Sequence, residues 1–268
     1  MTISSTKPKV IFIMGATGTG KSKLSIDLAT SFPCEIINSD KIQVYEGLDI
    51  VTNKLRMDER CGIPHHLLGV ISNPNADFTP EDFINHVHAS ISDITHRGRT
   101  PIIVGGSNSY LKALVDNNNK FQCCFLCLDV SLDVLFQYVD DRVDQMVEEG
   151  LVNEISTMYE PGIDCSRGIW RAIGVCEMKK YLNADEKEEA LLREAIENTK
   201  YNTRSLVCRQ RSKIQRLRDE HLWEIQWLDA TPVFEKRNRG EDKMEVDKAW
   251  NQFVLNPSLE IVTAFLRE

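Results

Sequence analysis

Lys9-Val10-Ile11-Phe12-Ile13-Met14-Gly15-Ala16-Thr17-Gly18-Thr19-Gly20-Lys21-Ser22 is the stretch on which the fold turns. Val10 to Met14 is a continuously apolar, mostly β-branched run of the kind that forms a parallel strand buried on both faces. From Gly15 the text fits G-x-x-x-x-G-K-[ST] at every fixed position, and beyond it Leu24, Ile26, Leu28 and Ala29 read as a helix. In a strand–loop–helix setting the glycines let the backbone wrap an anion, while the amides and the helix N-terminus point at its oxygens. Lys21 adds a full charge, and Ser22 is placed to ligate Mg²⁺. The loop therefore predicts that a di- or triphosphate group binds, which is not the same as predicting that phosphate is transferred.

Working outward, Cys34-Glu35-Ile36-Ile37-Asn38 reads as the next strand and completes a βαβ opening. A helix is expected within Pro80 to His96, a strand at Pro101-Ile102-Ile103-Val104, a helix from Asn108, a strand from Cys123 to Val130 and a helix from Ser131 to about Glu149. Strands alternating with helices imply an α/β, P-loop NTPase-like fold, a mainly parallel sheet with helices on both faces. From Leu151 the chain turns helical and charged, with a break at Tyr159-Glu160-Pro161-Gly162. The expected organisation is a P-loop α/β core over 1–150, a small helical subdomain over 151–220, and a return to the core over 221–268. That return comprises a last strand, Trp223 to Asp229, and a terminal helix with Ile261, Val262 and Phe265. Glu235 to Asp247 is so charged that a mobile loop is expected there.

Composition limits the function. With 268 residues, 42% of them apolar, the chain can bury one substantial core. No apolar run approaches the roughly 20 residues that span a bilayer, and Met1 to Lys7 contains no signal core, so neither membrane insertion nor secretion is expected. A net charge of −8 repels a polyanion at long range and speaks against nucleic acid as the main partner. Eight cysteines lie without pairing rhythm, several in apolar segments, which favours a reducing compartment; Cys124-x-x-Cys127 has no second ligand pair downstream.

A phosphoryl-transfer enzyme would next need an apolar strand ending in an Asp that holds the Mg²⁺ shell, and Phe125-Leu126-Cys127-Leu128-Asp129 qualifies. Four apolar residues and an Asp also end many buried strands, with Asp129 or Ser131 capping the next helix. The segment Asn38-Ser39-Asp40-Lys41-Ile42-Gln43-Val44-Tyr45 separates the two readings. Its Asp40 falls just past the second strand, where an open α/β sheet presents its ligand crevice. Ile63-Pro64-His65-His66-Leu67-Leu68 and Gly105-Gly106-Ser107-Asn108-Ser109-Tyr110-Leu111 follow in order.

With the glycine loop, these motifs resemble the isopentenyltransferase family, which includes plant adenylate isopentenyltransferases and tRNA dimethylallyltransferases. The resemblance runs from about Val10 to Leu217. Ser-Asp-Lys-Ile-Gln-Val-Tyr and Gly-Gly-Ser-Asn-Ser look like the plant nucleotide enzymes; the tRNA enzymes usually carry Ser or Gln after the Asp, and Gly-Gly-Thr. The resemblance implies that dimethylallyl diphosphate and an adenine nucleotide (AMP, ADP or ATP) are the substrates, with Mg²⁺ held by Ser22. The diphosphate is then a leaving group cradled by Gly15, Ala16, Gly18, Thr19, Gly20, Lys21 and Ser22, with Ser107 and Asn108 nearby. Ionising an allylic C–O bond builds charge on diphosphate that amides, Lys21, Mg²⁺ and Arg142 would stabilise. Asp40 matches the carboxylate that takes the proton of the weakly nucleophilic adenine amine, and Thr17 matches the loop residue at the reaction centre. Lys41 and Arg209 match nucleotide contacts.

The basic cluster of Lys200, Arg204, Arg209, Arg211, Lys213, Arg216 and Arg218 is otherwise read as a solvated face. His65 and His66 are expected to order their loop through hydrogen bonds. Three departures from the family stand out: Asp141 where a basic residue is usual, Lys112 for a His, and Trp170 where Arg or Lys is common, changes that would bear on activity if they touch the anion site. The segment after Asn117-Asn118-Asn119 is also shorter than in the plant members. A tRNA enzyme would need an inserted domain for which there is little room, and a small-molecule kinase would consume ATP's γ-phosphate. The expected enzyme is a monomer of the plastid or the cytoplasm.

Overall fold

The protein is described by a computed structural model over residues 7–116 and 120–268; the opening Met1 to Thr6 and the shortened segment at Asn117 to Asn119 lie outside the described residues. The first half alternates β1 (Lys9–Gly15), α1 (Lys21–Ser31), β2 (Cys34–Asn38), β3 (His65–His66), α2 (Pro80–His96), β4 (Thr100–Val104), α3 (Asn108–Asp116), β5 (Gln122–Asp129) and α4 (Leu132–Glu148). The second half runs α5 (Leu151–Met158), α6 (Lys179–Asn183), α7 (Glu189–Asp219), β6 (Ile225–Asp229), α8 (Thr231–Asn238), α9 (Lys243–Trp250) and α10 (Asn256–Arg267).

The strands form one parallel sheet in the order β3-β2-β4-β1-β5-β6. β1 lies inside it, with Ile11 opposite Ile102 on one side and Cys124 on the other. The two-residue side-chain period of a strand sends its apolar run to both faces. Val10, Phe12 and Met14 join Ile37, Ile103, Phe125 and the α7 residues Ile214 and Leu217 in one core, under α2, α3 and α5. Ile11 and Ile13 join Leu24 and Leu28 of α1, Val233 and Phe234 of α8 and Val262 of α10 in the other. This is the α/β, P-loop NTPase-like architecture expected from the opening motif. Connections from strand carboxyl ends place the glycine loop, the Asp40 segment and the Gly105-Gly106 turn along one edge.

The short strand β3 was not anticipated, but its histidines bond as expected: His65 Nδ1 lies 2.8 Å from the Ile63 carbonyl and His66 Nε2 2.8 Å from a carboxylate oxygen of the buried Glu35. The expected mobile loop at Glu235 to Asp247 is instead the end of α8, a tight turn and most of α9. Its charges pair locally: Lys236 bonds Glu241 at 2.6 Å, and Asp242 caps α9 by accepting the Glu245 amide at 3.0 Å. Val233, Phe234 and Trp250 anchor both helices in the core. Mixed-sign charge at three- to five-residue spacing marks a helix surface here, not disorder. The cysteines also depart from expectation, since Cys165 and Cys176 are joined by a disulfide. Cys124 and Cys127 are buried in β5, where burial pushes both thiols up to about 12 and leaves them inert. No described helix is long and apolar enough to cross a membrane.

Candidate active site

Gly15 ends β1 with φ 145°, and a Cβ there would lie 2.7 Å from the Leu128 carbonyl of the neighbouring strand, so only glycine lets the loop leave the sheet at this angle. The loop is tied internally, with the buried Thr19 hydroxyl donating to the Ala16 carbonyl at 2.9 Å. Lys21 Nζ donates to the same carbonyl at 2.6 Å. Burial pushes the Lys21 ammonium down to about 8, against the pull of the Asp40 carboxylate, while Arg142 pushes it further down. Thr17, Gly18, Gly20, Lys21 and Ser22 face a cavity of about 860 Å³.

A second cavity, of about 340 Å³, adjoins the first. Ile42, Val51, Val143, Met146 and Leu206 give it apolar walls, and Lys41, Arg171, Arg209 and Lys213 supply four cations. Thr17, Asp40, Asn53, Gly106, Arg142 and Gln210 line both cavities and so form the partition between them. Arg142 Nη2 donates to Thr17 Oγ1 at 3.0 Å, and its Nε is buried without a partner. Burial disfavours the charge on this guanidinium, so an incoming anion would meet a poorly solvated donor. Asp40 is held by an Asx-type turn: its amide donates to Asn38 Oδ1 at 3.1 Å and its Oδ1 accepts the Ile42 amide at 2.9 Å. The turn role that any Asp there could play is thus real, and it also aims the carboxylate at the partition.

Ser107 and Asn108 line the second cavity and not the one around the glycine loop. Ser107 Oγ accepts the Lys41 amide at 3.0 Å, and Asn108 Nδ2 donates to the Gln210 carbonyl at 3.2 Å. Both residues therefore tie loops together. The basic cluster divides between Arg209 with Lys213, which line the second cavity, and the rest, which do not. Lys200, Arg204, Arg211, Arg216 and Arg218 are each matched to a carboxylate, whereas Arg209 and Lys213 have none among the described residues.

Arg171, Lys213 and Gln210 were not anticipated as site residues. Arg171 gave no distinguishing sign among surface arginines, yet its Nη2 is buried without a partner. Gln210 did carry a sign: with Thr203, Val207, Ile214 and Leu217 it repeats at the spacing of the buried stripe of α7, a position a polar residue holds only if its bonds are satisfied.

The three departures lie off the partition. Lys112 pairs with Asp116, Trp170 is buried with Nε1 donating to Asn75 Oδ1 at 2.8 Å, and none of Lys112, Asp141 and Trp170 lines either cavity. Asp129, the carboxylate a kinase would need, accepts from Arg211 at 2.9 Å and lines neither cavity. It does not cap α4, and neither does the side chain of Ser131. Among the described residues no group of three or more His, Cys, Asp or Glu is arranged to hold a metal.

A family model described as IPP transferase matches residues 43–122 and 115–216. This chain belongs to the IPP transferase family. Among curated relatives, adenylate isopentenyltransferase 3, chloroplastic, of Arabidopsis thaliana is 52% identical over 97% of this IPP transferase and 80% of its own length. Adenylate isopentenyltransferase of Humulus lupulus is 38% identical over 96% and 90%. Among solved structures, a eukaryotic dimethylallyltransferase acting on tRNA superposes with a TM-score of 0.83 at 27% identity, covering 97% of this chain and 80% of that one. A tRNA isopentenylpyrophosphate transferase from Bacillus halodurans gives 0.76 at 26%, covering 92% and 99%. The IPP transferase is therefore a prenyltransferase by family, with the acceptor left to be read from its own residues.

Proposed function

We propose that this IPP transferase moves the dimethylallyl group of dimethylallyl diphosphate to N6 of ADP or ATP and releases diphosphate, a cytokinin-forming step. The observation that carries the reading is the partition at Thr17, Asp40 and Arg142, which has an anion-binding glycine loop on one side and an apolar, four-cation cavity on the other. The donor's diphosphate belongs with the loop amides, Lys21 and Ser22. As its allylic C–O bond breaks, the electron pair leaves on diphosphate, and Lys21 and Arg142 offset the growing charge in a poorly solvated site. The new bond forms between that carbon and N6, and Asp40 accepts the amine's proton. Thr17, held by Arg142, orients the reacting atoms at the partition.

Arg209, Lys41, Arg171 and Lys213 suit the phosphates of an acceptor nucleotide, which is why ADP and ATP are favoured over AMP. Mg²⁺ fits as an ion carried in on the diphosphate, with the Ser22 hydroxyl as its protein ligand; when bound it neutralises charge on the leaving group. The relative named chloroplastic supports a plastid as the compartment.

The test incubates the protein with Mg²⁺, dimethylallyl diphosphate and equimolar AMP, ADP, ATP and tRNA, and follows which acceptor gains the prenyl mass. Gain on ADP or ATP is expected. Gain on tRNA alone would make this a tRNA enzyme like its structural neighbours, and loss of ATP's γ-phosphate would make it a kinase.

A further inference from the structure

Gln210 is a buried, uncharged side chain in the basic stretch of α7, and both polar ends of its side-chain amide are engaged at the partition. Its Oε1 accepts the Thr17 amide at 2.8 Å, its Nε2 donates to the Gly106 carbonyl at 3.1 Å, and its backbone carbonyl accepts Asn108 Nδ2 at 3.2 Å. A Cβ on residue 106 would lie 2.2 Å from Nε2, so glycine there is what leaves room for the Gln210 amide against the turn. One side chain thus joins the loop after β1, the turn after β4 and α7.

We propose that Gln210 is a positioning residue for prenyl transfer, fixing Thr17 and the Gly105-Gly106 turn in the register the reaction needs. The inference rests on the proposed prenyl-transfer reading. Two consequences follow from the geometry. The Thr17 amide is withdrawn from the anion cradle, so the diphosphate is held by the amides further along the loop and by Lys21. The Thr17 side chain is fixed from two directions, since Gln210 holds its backbone while Arg142 holds its hydroxyl. A Thr17 displaced by an ångström would still bind both substrates but would misalign the reacting carbon and amine, and misplacements of that size cost on the order of 10²-fold in rate.

Three variants test this. Gln210→Leu keeps the bulk and removes both side-chain bonds; kcat is expected to fall about 10²-fold while both KM values stay within about threefold. Gln210→Glu supplies the distinguishing readout. As a carboxylate it would face the Gly106 carbonyl with no proton to donate, whereas its protonated form has glutamine's pattern of one donor and one acceptor. Lys21, Asp40 and Arg142 face this position from the other elements, and Arg209 and Lys213 flank it on α7. Dividing the variant's kcat by that of wild type at each pH removes the titration the two proteins share, and the ratio is expected to rise at least about tenfold from pH 8 to pH 6 as residue 210 takes up its proton.

Gly106→Ala, which forces Gln210 away from the turn, should reproduce the Leu phenotype. If the Leu variant proves unfolded by thermal melt, the Glu ratio and the Ala variant still decide the matter. A Leu or Ala variant that is folded with wild-type kcat, or a Glu ratio flat with pH, would overturn the role of Gln210. Wild-type protein that transfers no prenyl group would overturn the functional reading instead.

Discussion

Two sets of cations on and around α7 differ in one respect. Away from the cavities Lys200, Arg204, Arg211, Arg216 and Arg218 each meet a carboxylate of this chain, the first three across to α4 and β5 and the last two within or just past α7. Around the cavities Lys21, Arg142, Arg171, Arg209 and Lys213 meet none among the described residues, and two of them have buried nitrogen donors with no partner at all. Matched surface charges contribute little to stability and have nothing left to offer a ligand. Unmatched ones raise the free energy of the empty protein and recover it when an anion arrives. The difference points to the partition as the place where outside charge is expected, and it leaves the matched cations of α7 to ion pairs, three of which tie the helix to α4 and β5.

The largest test of that division removes the carboxylate that the partition itself carries. Asp40→Ala should lower kcat about 10³-fold, the scale of a lost general base, with nucleotide KM nearly unchanged. Equal turnover by the variant would take Asp40 out of the mechanism. Next in size is Lys21→Met, for which a loss of about 10²-fold in kcat is expected from removing a charge aimed at a developing anion. Lys21 also sets a pH signature. In the free enzyme its ammonium titrates at about 8, well below its usual value, because it is buried. Bound diphosphate favours the charged form, so binding above that pH must take up a proton. The donor's Kd should therefore weaken up to tenfold per unit as pH rises past about 8 and be flat below it, and Lys21→Arg should remove the inflection. A donor affinity independent of pH from 7 to 9 would contradict the assignment.

A smaller effect is expected at the mouth of the second cavity. Arg209 is exposed, so its bond to a phosphate is worth the lower end of what charged hydrogen bonds supply. Arg209→Ala should raise KM about tenfold for ADP and ATP and much less for adenosine, with kcat preserved. An equal rise for all three would mean that Arg209 shapes the cavity and does not read phosphate.

The fold was legible because its deciding signals are local. A strand run, a glycine loop and a helix start adjoin one another between Lys9 and Leu28, and the alternating elements through Glu148 follow their apolar periods. Lys21 and Asp40 stand within motifs and Arg142 came from the family resemblance, and all three line the first cavity. What could not be read is what depends on approach across the chain. Gln210 reaches Thr17 from 193 positions away, and nothing in Cys208-Arg209-Gln210 by itself says that the glutamine, rather than the arginine, would face inward. Ser107 looked like a residue near the diphosphate, and its hydroxyl holds the Lys41 amide beside the second cavity, a choice made by loop packing. The charged stretch from Glu235 was misread for the same reason: its helices are anchored by Phe234 and Trp250, whose partners lie in other elements.

The smallest expected effect comes from the matched side and bears on the competing phosphoryl-transfer reading. Asp129 ends β5 beside the glycine loop, where a kinase keeps the carboxylate of its Mg²⁺ shell. Here it bonds Arg211 at 2.9 Å, with about a third of each side chain exposed, and it lines neither cavity. Were it a metal ligand, Asp129→Asn would lower kcat by orders of magnitude. As one half of a partly solvated ion pair it should change kcat by no more than about twofold and stability by about 0.2–1 kcal/mol, the range measured for such pairs. Prenyl transfer assayed at saturating Mg²⁺, together with a denaturant midpoint, separates the two. A large loss of turnover in a well-folded Asp129→Asn protein would move this carboxylate into the active site and dissolve the distinction between matched and unmatched charge.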